Sequence, residues 1–447
     1  MRLDPSQVQH LRETFAKIQT KQDFITLLNE IKPMIYGEKT VPFELKQLTW
    51  YGNPKLGGKR YFEFQIKKKS GGERNIHAPV NGLKALQKTI SILLHCLFEP
   101  HQAALGFVWE RSIVDNARIH VGQRFVYNLD LKDFFPSINQ ARVWKCLQLK
   151  PFNLNRETSK EVPQEVKYGN LLKLTGHKYF SIEGNYIKNR VSINKPFEDN
   201  RLGIANLIAA ISCTEMEVQR KNDSGEWIKV KNSVLPQGAP TSPVITNIVC
   251  QRLDYLLSGL AKRFGLKYSR YADDITFSSN YNIFKEGSDF QIELNRIILD
   301  QGFYINESKT RVQGKGYRQE VTGLIVNEKV NVPKRYLKQL RMWLYFWERY
   351  GYEKASKFFL DRYKADKSHV KNDKADMARV IKGKLDYLKM VVGETSSYLK
   401  LKNRFDVLAN IGGTEIKKTR AEFLEDVVDL LINDGIEKAM DLYNEKS

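Results

Sequence analysis

The stretch that decides the fold reads Arg270-Tyr271-Ala272-Asp273-Asp274-Ile275. It places two adjacent carboxylates between short β-prone runs at 266–268 and 275–277. Because an aspartate side chain can hydrogen-bond its own backbone, we expect the pair at the tip of a β-hairpin. Adjacent acids repel each other unless a cation neutralises them, and Mg²⁺ suits carboxylate ligands that bridge to substrate phosphates. Solvated turns also carry such pairs, so the interpretation depends on partners elsewhere in the chain.

A third acid ends another predicted strand. Residues 125–129 read as a strand, and Asp130 stands at its carboxyl end. Phosphoryl transfer by two metals needs two or three carboxylates that converge on the cations. Asp130, Asp273 and Asp274 would supply these if their strands are neighbours in one sheet. We expect Asp133 to be an ordinary helix-capping residue ahead of the next helix.

A basic segment near the start of the chain offers groups for phosphates. Residues 60–66 and 75–79 alternate as strands, and the turn between them is rich in lysine and arginine. A basic β-turn can wrap a triphosphate, because its charges reach out while its strands fix their position. Lys69 and Arg74 are therefore candidate phosphate ligands, and a solvated loop is the alternative.

Two later segments complete the candidate site. The turn Leu235-Pro236-Gln237-Gly238 leads into a predicted helix, and glycine permits close approach of the backbone to a ligand. We expect Gln237 and Gly238 to line the base and sugar of a nucleotide. Lys309 is the candidate general acid for a leaving pyrophosphate, which requires a positioned proton donor. A surface lysine is the alternative for Lys309.

Composition favours a nucleic-acid partner. The 447 residues carry 72 Lys and Arg against 51 Asp and Glu, a formal net charge of +21. Such a field attracts polyanions, although a merely soluble basic protein is the alternative. The four cysteines are far apart and suggest neither a zinc site nor a disulfide framework. Without a signal-peptide core or a stretch of transmembrane length, we expect a cytoplasmic protein with no membrane partner.

The pattern along the chain predicts four segments. Residues 1–58 form an N-terminal helical segment, and residues 59–330 hold the motifs, with an insertion at about 148–234 that we expect to decorate the surface, for RNA or a partner. Residues 331–400 are helical, with 17 Lys and Arg against 8 Asp and Glu, which suits a surface that grips a duplex. The C-terminal extension, 401–447, ends in an acidic helix that suits packing or a protein partner.

The ordered motifs resemble the palm motifs of reverse transcriptases. The resemblance covers about residues 59–330 and rests on Asp130 with Phe134-Phe135, Leu235-Pro236-Gln237-Gly238, and Tyr271-Ala272-Asp273-Asp274. It implies an α+β fold of right-hand polymerase architecture, with fingers, an RRM-like antiparallel palm sheet and a helical thumb over 331–400. It also implies RNA-directed DNA synthesis from dNTPs.

The resemblance also implies roles for single residues. In that family the matching acids bind two Mg²⁺ ions, and Mn²⁺ is the alternative ion. The expected metal ligands are Asp130, Leu131, Asp273 and Asp274. The position of Phe135 lies under the sugar 2′-carbon, where an aromatic ring would clash with a ribose hydroxyl and favour dNTPs. Tyr271 would pack near the primer end.

Two further segments resemble elements of retron reverse transcriptases. Residues 116–120, Asn-Ala-Arg-Ile-His, resemble the NAxxH element, and Val321-Thr322-Gly323 resembles the VTG element of the RNA-recognition region. We therefore assign RNA and primer binding to a set of residues that comprises Asn116, His120, Tyr271, Val321, Thr322 and Gly323. Taken alone, Asn116 and His120 would more often be structural. The long interval at 148–234 and the tail beyond about 400 depart from compact retron enzymes.

The retron resemblance implies a specific reaction. The protein would bind a cognate structured noncoding RNA, prime from a 2′-hydroxyl of a guanosine in it, and copy part of it into DNA. The branched RNA–DNA product (msDNA) would serve antiphage defence together with an effector protein. One alternative is another bacterial defence or mobile-element reverse transcriptase with a different primer. A non-catalytic RNA-binding scaffold is the alternative of another class, and the intact set of three acids argues against it.

Overall fold

The computed structural model describes residues 3–53, 56, 58–67, 72–155, 200–222, 224–366 and 375–411. The chain forms two compact units, Met1–Val330 and Asn331–Ser447. The helices of the first unit are α1 (Pro5–Lys17), α2 (Lys21–Tyr36), α3 (Leu45–Gly52), α4 (Asn81–Leu97), α5 (Ile113–Ile119), α6 (Gln140–Leu147), α7 (Arg201–Ser212), α8 (Ser242–Arg263) and α9 (Asp289–Asp300). Its strands are β1 (Tyr61–Lys67), β2 (Glu73–Pro79), β3 (Phe125–Asp130), β4 (Thr214–Lys221), β5 (Trp227–Val234), β6 (Lys267–Tyr271), β7 (Asp274–Ser279), β8 (Arg311–Gly314), β9 (Glu320–Val321) and β10 (Leu324–Ile325).

A four-stranded antiparallel sheet organises the first unit. Its strand order is β6-β7-β3-β8. Of these four strands β3 comes first in the sequence, and it lies between β7 and β8. Helices α6, α7 and α8 occur between β3 and β6, and α9 occurs between β7 and β8. This order of strands and crossovers is that of an RRM-like palm. The predicted α+β fold with an antiparallel sheet is confirmed.

The N-terminal helices begin at good capping residues and bury one face each. Asp4 and Thr20 form capping boxes at the first turns of α1 and α2, which satisfies backbone N–H groups that would otherwise lack partners. The apolar faces of both helices pack on α4, where Leu11 and Phe15 of α1 are buried. These helices therefore extend the core behind the sheet.

Helix α7 changes the interpretation of the insertion at 148–234. Nearly all of its residues are buried, among them Ile204, Leu207 and Ile208. The buried Arg201 at its start donates to backbone carbonyls of the N-terminal segment, including Ile18 O at 2.6 Å. The expectation of surface decoration is wrong for α7, because this helix completes the core. Residues 156–199 lie outside the described part of the chain.

The second unit is helical in its described residues. It contains α10 (Lys334–Asp366), which is broken at Gly351 where φ is 74°, followed by α11 (Met377–Val392) and α12 (Ser396–Ile411). Trp343 and Trp347 of α10 are buried. The acidic helix predicted at the end of the chain lies outside the described residues. In the ranges that the structure covers, we find no helix with the length and apolar character needed to cross a membrane.

Candidate active site

The paired aspartates occupy the tip of the β6–β7 hairpin, as predicted. Tyr271 pairs with Asp274, which leaves Ala272 and Asp273 as a two-residue loop. Ala272 adopts a φ of 59°, a left-handed conformation that an L-residue reaches only at a cost in energy. The surrounding structure must therefore hold this turn in place.

The third acid meets the pair at one end of the sheet. Asp130, the last residue of β3, is the direct cross-strand partner of Asp274 on β7. The N–H of Leu131 also donates to the carbonyl of Asp273 at 3.0 Å. Antiparallel pairing thus brings Asp130 to the adjacent Asp273 and Asp274, more than 140 positions away in sequence, at the ends of two neighbouring strands. The convergence that the sequence analysis required is present.

The proximity of the three carboxylates affects the pKa values of Asp273 and Asp274. Burial raises the pKa of Asp274 to about 7, and the charges of Asp273 and Asp130 add to the shift. Burial and the charge of Asp130 also raise the pKa of Asp273, whereas Lys309 and Arg74 oppose the rise. Asp274 remains exposed by surface area, so protein atoms crowd it without closing it off from water. Like charges act in this way only at short range.

Two groups from the segment after α9 bind Asp130. The amino group of Lys309, in a 3₁₀ turn over Glu307–Lys309, lies 2.9 Å from both carboxylate oxygens. The Asn306 side chain donates to the same carboxylate at 3.0 Å, and its backbone N–H donates to the Asp130 carbonyl at 2.8 Å. Lys309 thus lies inside the acidic cluster. The sequence did not single out Asn306, which lies three residues before Lys309.

The donor set fits a divalent cation in chemistry. Three neighbouring carboxylates, two of which have a raised pKa, form a site in which added positive charge is stabilising, and oxygen donors are what Mg²⁺ prefers. Among the described residues, no three His, Cys, Asp or Glu side chains stand in a ready geometry for a metal ion. Both oxygens of Asp130 face Lys309 instead, so a cation at Asp130 requires this ion pair to rearrange.

The other residues of the predicted site have distinct environments. Leu131 has a buried apolar side chain, so only its backbone could serve a metal. Phe135 is half-buried, and its ring lies 6.1 Å from Phe107 and 5.6 Å from Phe134 between centroids. Tyr271 is half-buried at the end of β6. Phe135 and Tyr271 are therefore partly open to a ligand.

The predicted nucleotide-binding residues are only partly described. Lys69 lies outside the described residues. Arg74, on β2, is exposed and close enough to Asp273 to oppose the rise in the pKa of that carboxyl group. Gly238 has a φ of 121°, and a Cβ there would lie 2.7 Å from the carbonyl oxygen of His77. The glycine therefore allows close contact with β2, to which Gln237 is also joined through its carbonyl and the His77 N–H at 2.8 Å.

The expectation for Asp133 is wrong. Its φ is 46°, and its carbonyl accepts from the N–H of Ser137 within a turn. The cap of α6 is Asn139, whose side chain accepts from the N–H of Arg142 at 2.9 Å. Asn139 stands directly before the helix, where a capping side chain can reach the first free N–H groups.

A buried ion pair supports the hairpin from one side. Arg270 on β6 and Asp254 on α8 are fully buried, and two guanidinium nitrogens lie 2.7 and 2.6 Å from the carboxylate oxygens. Arg270 also donates to the carbonyl of Ala272 at 3.1 Å and to Asn247 at 3.1 Å. Burial alone would lower the pKa of Arg270, but the Asp254 charge raises it overall, so the cation is retained. No pattern in the sequence predicted this pair.

Gly106 also lies against the turn that carries the acids. A Cβ at this position would lie 2.4 Å from the backbone nitrogen of Ala272 and 2.9 Å from the carbonyl carbon of Tyr271. The carbonyl of Gly106 accepts from the Asn247 side chain at 2.9 Å, and Asn247 in turn contacts Arg270. Gly106 is therefore part of the same support.

The NAxxH element supports the hairpin from another side. The two ring nitrogens of His120 lie 2.7 Å from Ser278 Oγ on β7 and 2.8 Å from Ser269 Oγ on β6. The Ser269 hydroxyl donates to Asn116 at 2.6 Å. Both element residues are buried, Asn116 at 1% and His120 at 0% exposure, so direct RNA contact is wrong for these side chains. Burial lowers the pKa of His120 to about 3.

The VTG element forms a second tight turn next to this network. Val321 pairs with Leu324, which leaves Thr322 and Gly323 as the loop. Val321 is buried, Thr322 is half-buried and Gly323 is exposed. The Asn116 amide lies 3.4 Å from Thr322 Oγ1. Of the predicted RNA-binding residues in this element, Gly323 is the one most open to a partner.

Comparison with known proteins agrees with the motifs. Residues 199–327 match the family described as reverse transcriptase (RNA-dependent DNA polymerase). The chain is also similar to retron reverse transcriptases, so the predicted resemblance is confirmed.

Three curated relatives illustrate the relationship. The chain is 35% identical to retron Mx65 reverse transcriptase of Myxococcus xanthus, over 65% of this chain and 57% of the relative. It is 33% identical to retron Mx162 reverse transcriptase of the same organism, over 63% and 51%. It is 29% identical to retron Ec86 reverse transcriptase of Escherichia coli, over 63% and 68%. The chain thus spans little more than half the length of the two Myxococcus relatives.

Proposed function

We propose that the protein is the RNA-directed DNA polymerase of a retron, and that it copies part of a bound noncoding RNA into DNA. The observation that carries the proposal is the convergence of Asp130, Asp273 and Asp274 at one end of the palm sheet. An isolated cluster of three acids is costly, because burial and the charge of Asp130 raise the pKa values of both Asp273 and Asp274. A catalytic cation would offset this cost and give the cluster its function.

The carboxylates of Asp130, Asp273 and Asp274 would hold two Mg²⁺ ions, or Mn²⁺, with the backbone of Leu131 nearby. When bound, such ions activate the attacking hydroxyl and neutralise the leaving pyrophosphate. Lys309 lies on Asp130 and would supply a proton to the pyrophosphate through Nζ once the ion pair opens. Arg74, close to Asp273, would bind the triphosphate of the incoming nucleotide together with Lys69.

Sugar selection would depend on the half-buried ring of Phe135. This ring lies against Phe107 and Phe134, which limit its movement. A fixed aromatic ring beside the sugar would leave no room for a ribose 2′-hydroxyl, so dNTPs would be preferred to rNTPs. Gln237 and Gly238 would line the base and sugar, and Tyr271 would contact the primer end.

The division of labour in the chain is part of the proposal. We assign residues 59–330 to fingers and palm, after the helical segment 1–58. Residues 331–400 would act as the basic thumb that holds the template–product duplex, and residues 401–447 as an extension. The separate compact unit that begins at Asn331 supports a thumb boundary near this position.

Primer extension tests the polymerase activity. The purified chain should incorporate dTTP on a polyriboadenylate template primed with oligodeoxythymidine, and EDTA should stop the reaction. If Phe135 selects the sugar, UTP should be incorporated at least tenfold more slowly than dTTP. Phe135→Ala should bring the rates for UTP and dTTP closer together. A protein that binds RNA but incorporates no dNTP under Mg²⁺ or Mn²⁺ would favour the scaffold alternative.

Sequencing of bound nucleic acid tests the retron assignment. We expect one specific small RNA to copurify with covalently attached DNA, joined through a ribose 2′-oxygen. Treatment with a debranching enzyme should release the DNA as a linear strand. Heterogeneous cellular RNA without attached DNA would instead favour a defence or mobile-element reverse transcriptase with a different primer. The same purification from infected cells would identify an effector protein if one is bound.

A further inference from the structure

The β4–β5 hairpin carries an exposed aromatic and basic surface outside the acidic cluster. Trp227, the first residue of β5, is 39% exposed. Its ring lies 5.0 Å from that of Tyr304 in an edge-to-face arrangement. The amino group of Lys132 lies 3.5 Å from the centre of the Trp227 ring, and that of Lys221 lies 5.6 Å from it. We call Lys132, Lys221, Trp227 and Tyr304 the Trp227 patch.

Three separate segments build the patch and fix its shape. The Lys132 N–H donates to the carbonyl of Tyr304 at 2.8 Å, which joins the segment after β3 to the segment after α9. The half-buried Arg220 on β4 donates to the carbonyl of Pro136 at 2.6 Å, which joins the β4–β5 hairpin to the segment after β3. A cavity opens beside the patch, and its walls include Gln219, Arg220 and Asp133. The patch is therefore a concave, supported surface.

The charges of the patch are available to a ligand. Among the described residues, neither Lys132 nor Lys221 forms an ion pair with a carboxylate, and both amines rest on aromatic rings instead. Exposed aromatic rings stack on unpaired bases, and lysines bind the phosphates between them. A paired base is stacked inside its duplex and cannot reach such a ring. The chemistry therefore fits single-stranded nucleic acid.

The patch begins two residues from the acidic cluster. Asp130 and Lys132 flank Leu131, which bridges to Ile305, and Tyr304 and Asn306 flank Ile305 in turn. On one side of the Leu131–Ile305 bridge, Asn306 donates a hydrogen bond to Asp130. On the other side, the N–H of Lys132 donates to the carbonyl of Tyr304. We propose that the Trp227 patch binds a single-stranded segment of RNA beside the active site. The proposal rests on the proposed function, since it assigns part of the RNA partner to a surface.

Binding of a fluorescent oligouridylate of about 20 nucleotides tests the patch, because this length covers one single-strand site. The full chain is used without dNTPs, and affinity is measured by anisotropy at several salt concentrations. Trp227→Ala should weaken binding about tenfold, whereas Trp227→Phe keeps a ring and should stay within about threefold of the wild type. Lys221→Ala should weaken binding about threefold and make the salt dependence less steep.

Lys231→Ala is the matched control. Lys231 is exposed on β5 of the same hairpin but lies outside the patch, and its substitution removes the same charge as Lys221→Ala. It should change the affinity by less than about twofold. Crosslinking with a 4-thiouridine-labelled oligonucleotide should recover a peptide that contains Trp227. Equal affinity of the wild type, Trp227→Ala and Lys221→Ala would overturn the proposal, as would an equal loss on a blunt RNA duplex.

Primer extension separates the two proposals. If the wild type extends a primer and the patch variants bind the oligouridylate normally, the patch proposal falls and the polymerase proposal stands. If the wild type extends no primer while the patch variants lose oligouridylate binding, the patch stands as an RNA site and the polymerase proposal falls. Tight competition by free dTTP at the patch would show a nucleotide site and overturn the assignment to RNA.

Discussion

Two buried networks support the hairpin that carries Asp273 and Asp274, and they differ in charge. On one side, the ionised pair Arg270–Asp254 holds the carbonyl of Ala272. On the other side, the neutral side chains of Asn116 and His120 hold serine hydroxyls on β6 and β7. Loss of one partner of the ion pair leaves a buried charge without a counter-charge. Loss of a side chain from the neutral network leaves only uncharged hydroxyl groups short of a hydrogen-bond partner. The charged support should therefore be the more costly one to lose.

Loss of Asp254 should have the largest effect on stability. Asp254→Ala leaves the fully buried Arg270 without its carboxylate, which should lower the free energy of unfolding by about 3–5 kcal/mol. Urea denaturation of the first unit measures this change. Arg296→Ala is the control, because Arg296 binds Glu293 and Asp300 on the surface, and it should cost less than about 1 kcal/mol. Similar losses for both variants would remove the distinction between buried and surface pairs.

Addition of one methyl group beside the turn that carries Asp273 and Asp274 tests whether activity depends on the position of these acids. Gly106→Ala places a Cβ against the backbone of Ala272 and Tyr271, which cannot rotate away, so the acids must shift. We expect about a hundredfold loss of primer-extension rate, equivalent to about 2.7 kcal/mol, with RNA binding retained. Gly259→Ala on α8 meets no atom within 4 Å and should leave the rate unchanged. Full activity of Gly106→Ala would show that the turn tolerates displacement.

Loss of His120 tests the neutral support. His120→Ala removes the imidazole partner of two buried serine hydroxyls, of which Ser269 still donates to Asn116, and should lower the free energy of unfolding by about 2 kcal/mol at pH 8. His10→Ala is the control, because its side chain is 63% exposed, and it should cost less than about 0.5 kcal/mol. A loss for His120→Ala as large as that for Asp254→Ala would contradict the comparison.

The same variant should alter the dependence of stability on pH. The folded protein lowers the pKa of His120 from 6.5 to about 3, so the unfolded chain binds the proton more readily. The contribution of neutral His120 is therefore complete above pH 6.5 and is lost as the pH falls, by at most about 1.4 kcal/mol per unit. The stability difference between wild type and His120→Ala should shrink below pH 6.5. A constant difference would show that His120 is not held neutral.

The link to the VTG turn should have the smallest effect. Thr322 Oγ1 lies 3.4 Å from the Asn116 amide and 3.4 Å from the Ile113 carbonyl, which is long for a hydrogen bond. Thr322→Ala should change the free energy of unfolding by less than about 0.5 kcal/mol, whereas Asn116→Ala should cost about 1 kcal/mol through Ser269. Equal costs would place the turn inside the neutral network.

The acids and their hairpin could be predicted because local sequence determines them. Aspartates between two β-prone runs predict the turn of a hairpin, and an acid at the end of a predicted strand lies at one end of the sheet. The two supports could not be predicted in the same way. Arg270 and Asp254 belong to different elements, and arginine is normally exposed, so no pattern in the sequence pairs them. Gly106 likewise carries no signal of the distant backbone that it contacts.

Polar residues in a motif were a misleading guide to exposure. Asn116 and His120 were assigned to RNA because a retron element contains them, yet both are buried with partners inside the protein. Their chemistry is compatible with either role, and only burial distinguishes the two. The same holds for α7, since an apolar helix in a long insertion can lie on the surface or complete the core. Tertiary packing decided both cases.

One measurement tests the central claim that the three acids form a catalytic site. Asp273→Asn with Asp274→Asn removes two negative charges at nearly constant shape, so dNTP incorporation on an RNA template should fall below detection. RNA affinity should remain nearly intact, since no phosphate ligand is lost. Glu13→Gln with Glu30→Gln makes the same change in charge on α1 and α2 and should leave incorporation unchanged. Normal extension by the doubly substituted aspartate variant would contradict the site assignment.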